Sequence, residues 1–137
     1  MSYDLVVFER EAAPQTKSEF LKWFEAQAEW SEEYDYDDPA TATPALQKWF
    51  MEMKELFPPM NGEFCPTDQE IDNNEELENH LADYSIGKEM IYAAFAWSLC
   101  EEAYDTTRRL ARKHEVGFYD ISGAEGDIIL PNGKLIE

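Results

Sequence analysis

The sequence predicts an α+β domain in which a mixed or mostly antiparallel sheet is packed by three main helices, in the order β-α-α-β-β-α-β-β. Three observations carry this. The chain opens on an extended apolar run, YDLVVF at residues 3–8. A later stretch places Leu46, Trp49, Phe50, Met53 and Phe57 at i, i+3, i+4, i+7 and i+11, the spacing of one helix face. A second extended run, MIYAAFAW at residues 90–97, leads directly into a charged helical segment. Strands and helices thus come in blocks rather than in strict βαβ alternation, which is the α+β pattern. With 137 residues the whole chain reads as a single domain, long enough to bury a core without disulfide or metal staples.

Each element has its own reason. In residues 3–8, Leu5 and Val7 point to one face while Val6 and Phe8 point to the other, so both faces are apolar and the strand is expected to be central. Thr16 and Glu19 form a T-x-x-E capping box, opening a helix over residues 17–30 with Phe20, Leu21, Phe24 and Ala28 as its buried stripe. Thr43 followed by Pro44 marks the next start, because a proline at the first helical position has no N–H to leave unsatisfied. Pro58 and Pro59 end that helix.

Residues 58–83 form a long acidic loop, with a short helix expected near 68–72 or 75–81; loops of this length are often functional. YSIG at 84–87, a Gly-Lys turn and residues 90–97 read as a strand pair. Ser98 and Glu101 repeat the capping box, opening a helix over residues 99–114. Its first turn holds Glu101 and Glu102, and its end holds Arg108, Arg109, Arg112, Lys113 and His114, the order that complements the helix dipole. Gly117 is its expected stop. GFYDIS and DIILPNGKLIE complete the chain as short strands, the second bent back at Asn132-Gly133.

The composition is 44% hydrophobic with a net charge of −19, so aromatic content must hold together a chain that repels itself. Cys65 and Cys100 have no C-x-x-C spacing and read as free thiols of a reducing compartment. The N-terminus has no basic region before its apolar run, and no apolar stretch is long enough to span a bilayer. A cytoplasmic location is the expectation, with neither membrane nor nucleic acid as partner, since phosphate would be repelled.

Catalytic and metal motifs are absent from the sequence. It has no G-x-S-x-G elbow, no glycine-rich phosphate loop and no H-E-x-x-H. Asp68, Glu70 and Asp72 occupy calcium-loop positions 1, 3 and 5, but Asn73 replaces the required Gly and Asn79 the required Glu. No metal and no cofactor are expected. His80 lies in the acidic loop, His114 at a helix end, and Cys65 has no nearby cation to activate it.

The distribution of charge is more informative than its total. Seven carboxylates and no cation lie between Lys22 and Lys48, and nine more between Lys54 and Lys88. Residues 29–39, EWSEEYDYDDP, hold six of them, interleaved with three aromatic rings. Charge steers a partner, and rings supply the anchoring contacts at interfaces. Glu32, Glu33, Tyr34, Asp35, Tyr36, Asp37 and Asp38 are therefore the candidate partner-binding residues. An alternative reading is a small enzyme or ligand-binding domain with an aromatic pocket between sheet and helices, lined by Trp23, Trp49, Tyr92, Phe95 and Trp97. Homo-oligomerisation through uncovered parts of the second helix is a third.

The opening MSYDLVVFE and the stretch AFAWSLCEEAYDTTRRLARKHEVGFYD resemble a group of small uncharacterised bacterial proteins that begin Met-Ser-Tyr-Asp-Leu and carry a late LA..H.VGFYD-like segment. In size and acidity the chain also looks like immunity proteins, which neutralise basic toxin domains, commonly nucleases. That resemblance implies a non-enzymatic inhibitor and brings no catalytic residue with it.

Overall fold

A computed structural model describes residues 2–27, 39–60, 62, 64–123 and 126–136. The chain forms an α+β domain around a five-stranded sheet. In chain order the strands are β1 (Ser2–Phe8), β2 (Asp83–Ile86), β3 (Met90–Ala96), β4 (Gly117–Tyr119) and β5 (Ile128–Ile129), and in space they run β2-β3-β1-β4-β5. All four pairings are antiparallel. The N-terminal strand is thus the central one, as its two apolar faces predict.

Strand parity splits the core in two. Tyr3, Leu5 and Val7 stand opposite Phe95, Ala93 and Ile91 and join the larger cluster, which the helices α2 (Pro44–Leu56) and α5 (Cys100–Lys113) cover. Val6 and Phe8 stand opposite Tyr92 and Met90 and join the smaller cluster, which α1 (Lys17–Gln27) covers with Phe20 and Phe24. All five apolar positions read from the α2 periodicity are buried. Each such side chain contributes about 1.5–3 kcal/mol of transfer free energy.

Several local expectations are refined. The Glu19 N–H reaches the Thr16 hydroxyl at 3.4 Å, so the first cap forms on that side. Thr43 and Pro44 do open α2, but the Thr43 hydroxyl caps nothing; it donates to Glu9 Oε2 at 2.8 Å and ties the helix start to the end of β1. The Ser98–Glu101 capping box is not formed. β3 ends at Ala96, residues Trp97–Leu99 make a 3-10 turn, and α5 starts at Cys100 with Leu99 as an uncapped N-cap. The last ladder pair with β1 is Ser2 opposite Ala96, and just beyond it Trp97 packs on Tyr3 at 5.1 Å between ring centroids.

Gly117 is likewise not the stop of α5. The Val116 N–H reaches the Ala111 carbonyl at 2.9 Å and the Glu115 N–H the Arg112 carbonyl at 3.3 Å, a Schellman closure with Glu115 in the left-handed position at φ 57°. Gly117 already belongs to β4. It is glycine because the Phe8 ring crosses it: a Cβ there would lie 2.2 Å from Cζ of Phe8.

The 58–83 segment contains two short helices where one was expected, α3 (Asp68–Asp72) and α4 (Glu75–Asn79), one at each of the alternative places. Its ends are stitched together by Ala82 N–H to the Pro58 carbonyl, 2.9 Å, and Met60 N–H to the Ala82 carbonyl, 3.0 Å. At the C-terminus the chain bends back at Asn132-Gly133, with Gly133 at φ 88°, and Ile129 bridges to Leu135. No described helix is long and apolar enough to cross a membrane.

Candidate functional site

Glu32, Glu33, Tyr34, Asp35, Tyr36, Asp37 and Asp38 lie outside the described residues. The second basic-free window is described almost throughout. Thr67 and Asn74 cap the two short helices through their side chains, accepting from the N–H groups of Glu70 and Leu77 at 3.2 Å each. These starts put Asp68 and Glu70 in one first turn and Glu75, Glu76 and Glu78 in the other, where carboxylates favour the helix. Together with Asp72 and Asp83 they are all exposed, and no described lysine or arginine pairs with any of them.

This acidic arm is pinned to the body at two places. Phe64 packs on Phe50 with Lys54 over its ring at 5.0 Å. His80, which follows α4, sits over Phe57, with Nδ1 2.8 Å from the Glu76 carbonyl and Nε2 3.2 Å from Glu102 of α5. Burial of the ring opposes its charge. Yet both nitrogens face acceptors, so the bond to Glu76, the bond to Glu102 and their negative field raise the pKa above its ordinary value. His80 is therefore a clasp between arm and body.

The other sequence candidates fall in structural positions. His114 Nε2 lies 2.9 Å from Glu52, which Lys113 also contacts, so the end of α5 is joined to α2. The Lys113 bond, followed by the His114 bond, lowers the Glu52 pKa against the opposing effect of burial. The Cys65 thiol donates to the carbonyls of Met60 and Pro66. Burial holds the Asp120 carboxyl above the usual range; the Gly123 N–H opposes this and the charge of Asp127 adds to it. Among the described residues no group of three His, Cys, Asp or Glu is placed to hold a metal ion.

The five pocket candidates do not converge. Trp49 and Phe95 are buried in the larger cluster, where the Trp49 indole donates to the Thr107 carbonyl at 3.2 Å. Trp23 and Tyr92 lie in the smaller cluster on the opposite face of the sheet. Trp97 is on the surface, 43% exposed. Met51 and Leu56 of α2 are also exposed.

One concavity has no counterpart in the sequence reading. A cleft of about 390 Å³ runs between the C-terminal half of α5 and the turn at residues 130–133, and Arg108, Arg109 and Arg112 line it. Sequence shows these arginines only as a helix end; the wall opposite them comes from a segment twenty residues later.

No protein-family model matches the chain, and no curated protein or solved structure shows significant similarity to it.

Proposed function

We propose that the protein is a non-enzymatic acidic binding protein that captures a basic protein partner, in its most concrete form an immunity protein that inhibits a nuclease toxin in the cytoplasm. The observation that supports this reading is the acidic arm. Asp68, Glu70, Asp72, Glu75, Glu76, Glu78 and Asp83 are exposed on a segment anchored at both ends, and no described cation neutralises them. Left unpaired, these charges repel one another and disfavour the compact state, and that repulsion is relieved when a cationic surface covers them. By sequence, Glu32, Glu33, Asp35, Asp37 and Asp38 extend the same charge, with Tyr34 and Tyr36 as anchors between them. In this role the carboxylates stand in for the phosphates of the nuclease's own substrate.

Capture from the source cell at low salt, followed by mass spectrometry, tests the reading when it is run beside a variant with Glu70, Glu75, Glu76 and Glu78 changed to Gln. A basic nuclease domain held by the wild-type protein, inhibited by it and lost by the variant is the expected result. Capture that is equal for both proteins, or a captured partner without basic character, rejects the reading.

A further inference from the structure

The chain has 30 acidic residues against 11 lysines and arginines, so any exposed arginine has carboxylates to spare as partners. Arg108, Arg109 and Arg112 nevertheless form no ion pair with any described carboxylate. Three of the four arginines in the sequence line this one cleft, and the fourth, Arg10, lines a neighbouring one that shares Leu130, Pro131 and Asn132 with it. A helix dipole accounts for cations in the last turn of α5. It does not account for an apolar trough set against them.

The floor of the trough rests on the buried Ala111, Val116, Phe118 and Ile129, and its accessible apolar sides are the half-buried Tyr104, Leu130 and Pro131. Both walls are fixed by backbone hydrogen bonds. The Schellman closure after α5 holds one wall; the other is held by Leu130 N–H to the Lys134 carbonyl and Gly133 N–H to the Leu130 carbonyl, each 2.8 Å. Arg108 is further held by Tyr104, donating to its hydroxyl at 3.1 Å with the guanidinium 5.9 Å from the ring centroid. The Tyr104 ring meets Phe118 edge-on at 5.3 Å, so one side of the trough is aromatic.

We infer that this cleft binds a small amphiphilic anion, an aromatic or short acyl body carrying one carboxylate or phosphate. The apolar body lies against Tyr104, Leu130 and Pro131 above the buried floor, and the anionic head meets Arg109 and Arg112, whose planar donors match carboxylate and phosphate geometry. The volume falls in the range of small-molecule sites. Nucleic acid is disfavoured by the charge of the rest of the chain. The single carboxylate in the lining, Asp105, pairs with none of the arginines and leaves them available to the ligand.

The test uses phenyl phosphate and benzoate as probes, benzyl alcohol as the neutral analogue and inorganic phosphate as the head alone, with binding followed by calorimetry and by chemical shifts of Phe118 and Ile129. Saturable one-to-one binding of an aromatic anion is expected, at least about tenfold tighter than either benzyl alcohol or inorganic phosphate. Arg109→Gln with Arg112→Gln should weaken it about tenfold or more, Arg112→Lys should weaken it less than Arg112→Gln because it keeps the charge and loses the planar donors, and Lys48→Gln should leave it unchanged. Thermal midpoints of all variants are compared, so that loss of the fold is not read as loss of the site, and an unfolded double variant is replaced by the single Arg112→Gln. Binding of benzyl alcohol as tight as that of the anions, unaltered binding in the folded arginine variants, or no saturation at millimolar probe overturns the proposal. Displacement of the probes by a poly-glutamate peptide at lower concentration overturns it in favour of a macromolecular partner.

Discussion

Gly117 carries two demands at once, an extended conformation in β4 and space for the Phe8 ring above it. The ring takes the place of the missing side chain, and it is itself packed on Phe20 at 4.8 Å. Gly117→Ala should therefore destabilise the protein by about 1–3 kcal/mol, the usual cost of overpacking a filled core, measured by urea unfolding. A second substitution, Phe8→Leu, should recover part of that loss. Thr107 presents the opposite case. Its side chain is fully buried in α5 and its hydroxyl has no hydrogen-bond partner among the described residues. Thr107→Val keeps the shape and removes the orphaned polar atom, so stability should rise by up to about 1 kcal/mol; a loss of stability in the same urea titration would show that the hydroxyl is satisfied.

At the scale of elements, α5 and the arm behave as separable pieces held by named contacts. The end of α5 places Glu115 in the left-handed region, which costs a side-chain-bearing residue about 1–2 kcal/mol relative to glycine. Glu115→Gly should raise the thermal midpoint, with an unchanged midpoint arguing against that conformation. The clasp of α4 to α5 through His80 is tied to pH. Its folded pKa is raised, so its contribution is fully present below the unfolded value of about 6.5 and is lost as pH rises through the higher folded value. His80→Asn should thus cost stability at acidic pH and progressively less above neutrality; a difference from wild type that does not vary with pH would contradict the clasp. The same elements show what sequence makes legible. β1 and α2 were readable because their signals are local: two apolar faces in one, a period of 3.6 in the other. The Ser98–Glu101 box was misleading because Trp97–Leu99 form a 3-10 turn between the last β1 pairing and α5, which puts Ser98 inside that turn rather than at the helix cap, and the Gly117 stop because a closure with a non-glycine residue leaves little trace in sequence. The arginine cleft needed the fold, since its walls are α5 and a turn twenty residues downstream.

For the whole molecule, charge is the dominant property. The net charge is −19, and against that background seven exposed carboxylates gather on the acidic arm while three of the four arginines gather on one cleft. The pocket suggested by Trp23, Trp49, Tyr92, Phe95 and Trp97 was not legible because periodicity places a ring on an element but does not say which face of the sheet that element covers. The acidity of the second window was legible, but that no described lysine or arginine folds back onto its exposed carboxylates needed the structure, and residues 28–38 of the first window lie outside the described residues. The most direct test of the capture of a basic partner is the association rate of the purified complex followed by stopped flow across salt concentrations. Electrostatic steering predicts a rate that falls by about tenfold or more between low and high salt, with the dissociation rate changing far less and the Glu70, Glu75, Glu76 and Glu78 to Gln variant losing most of the dependence. An association rate indifferent to both salt and these four carboxylates would contradict the account.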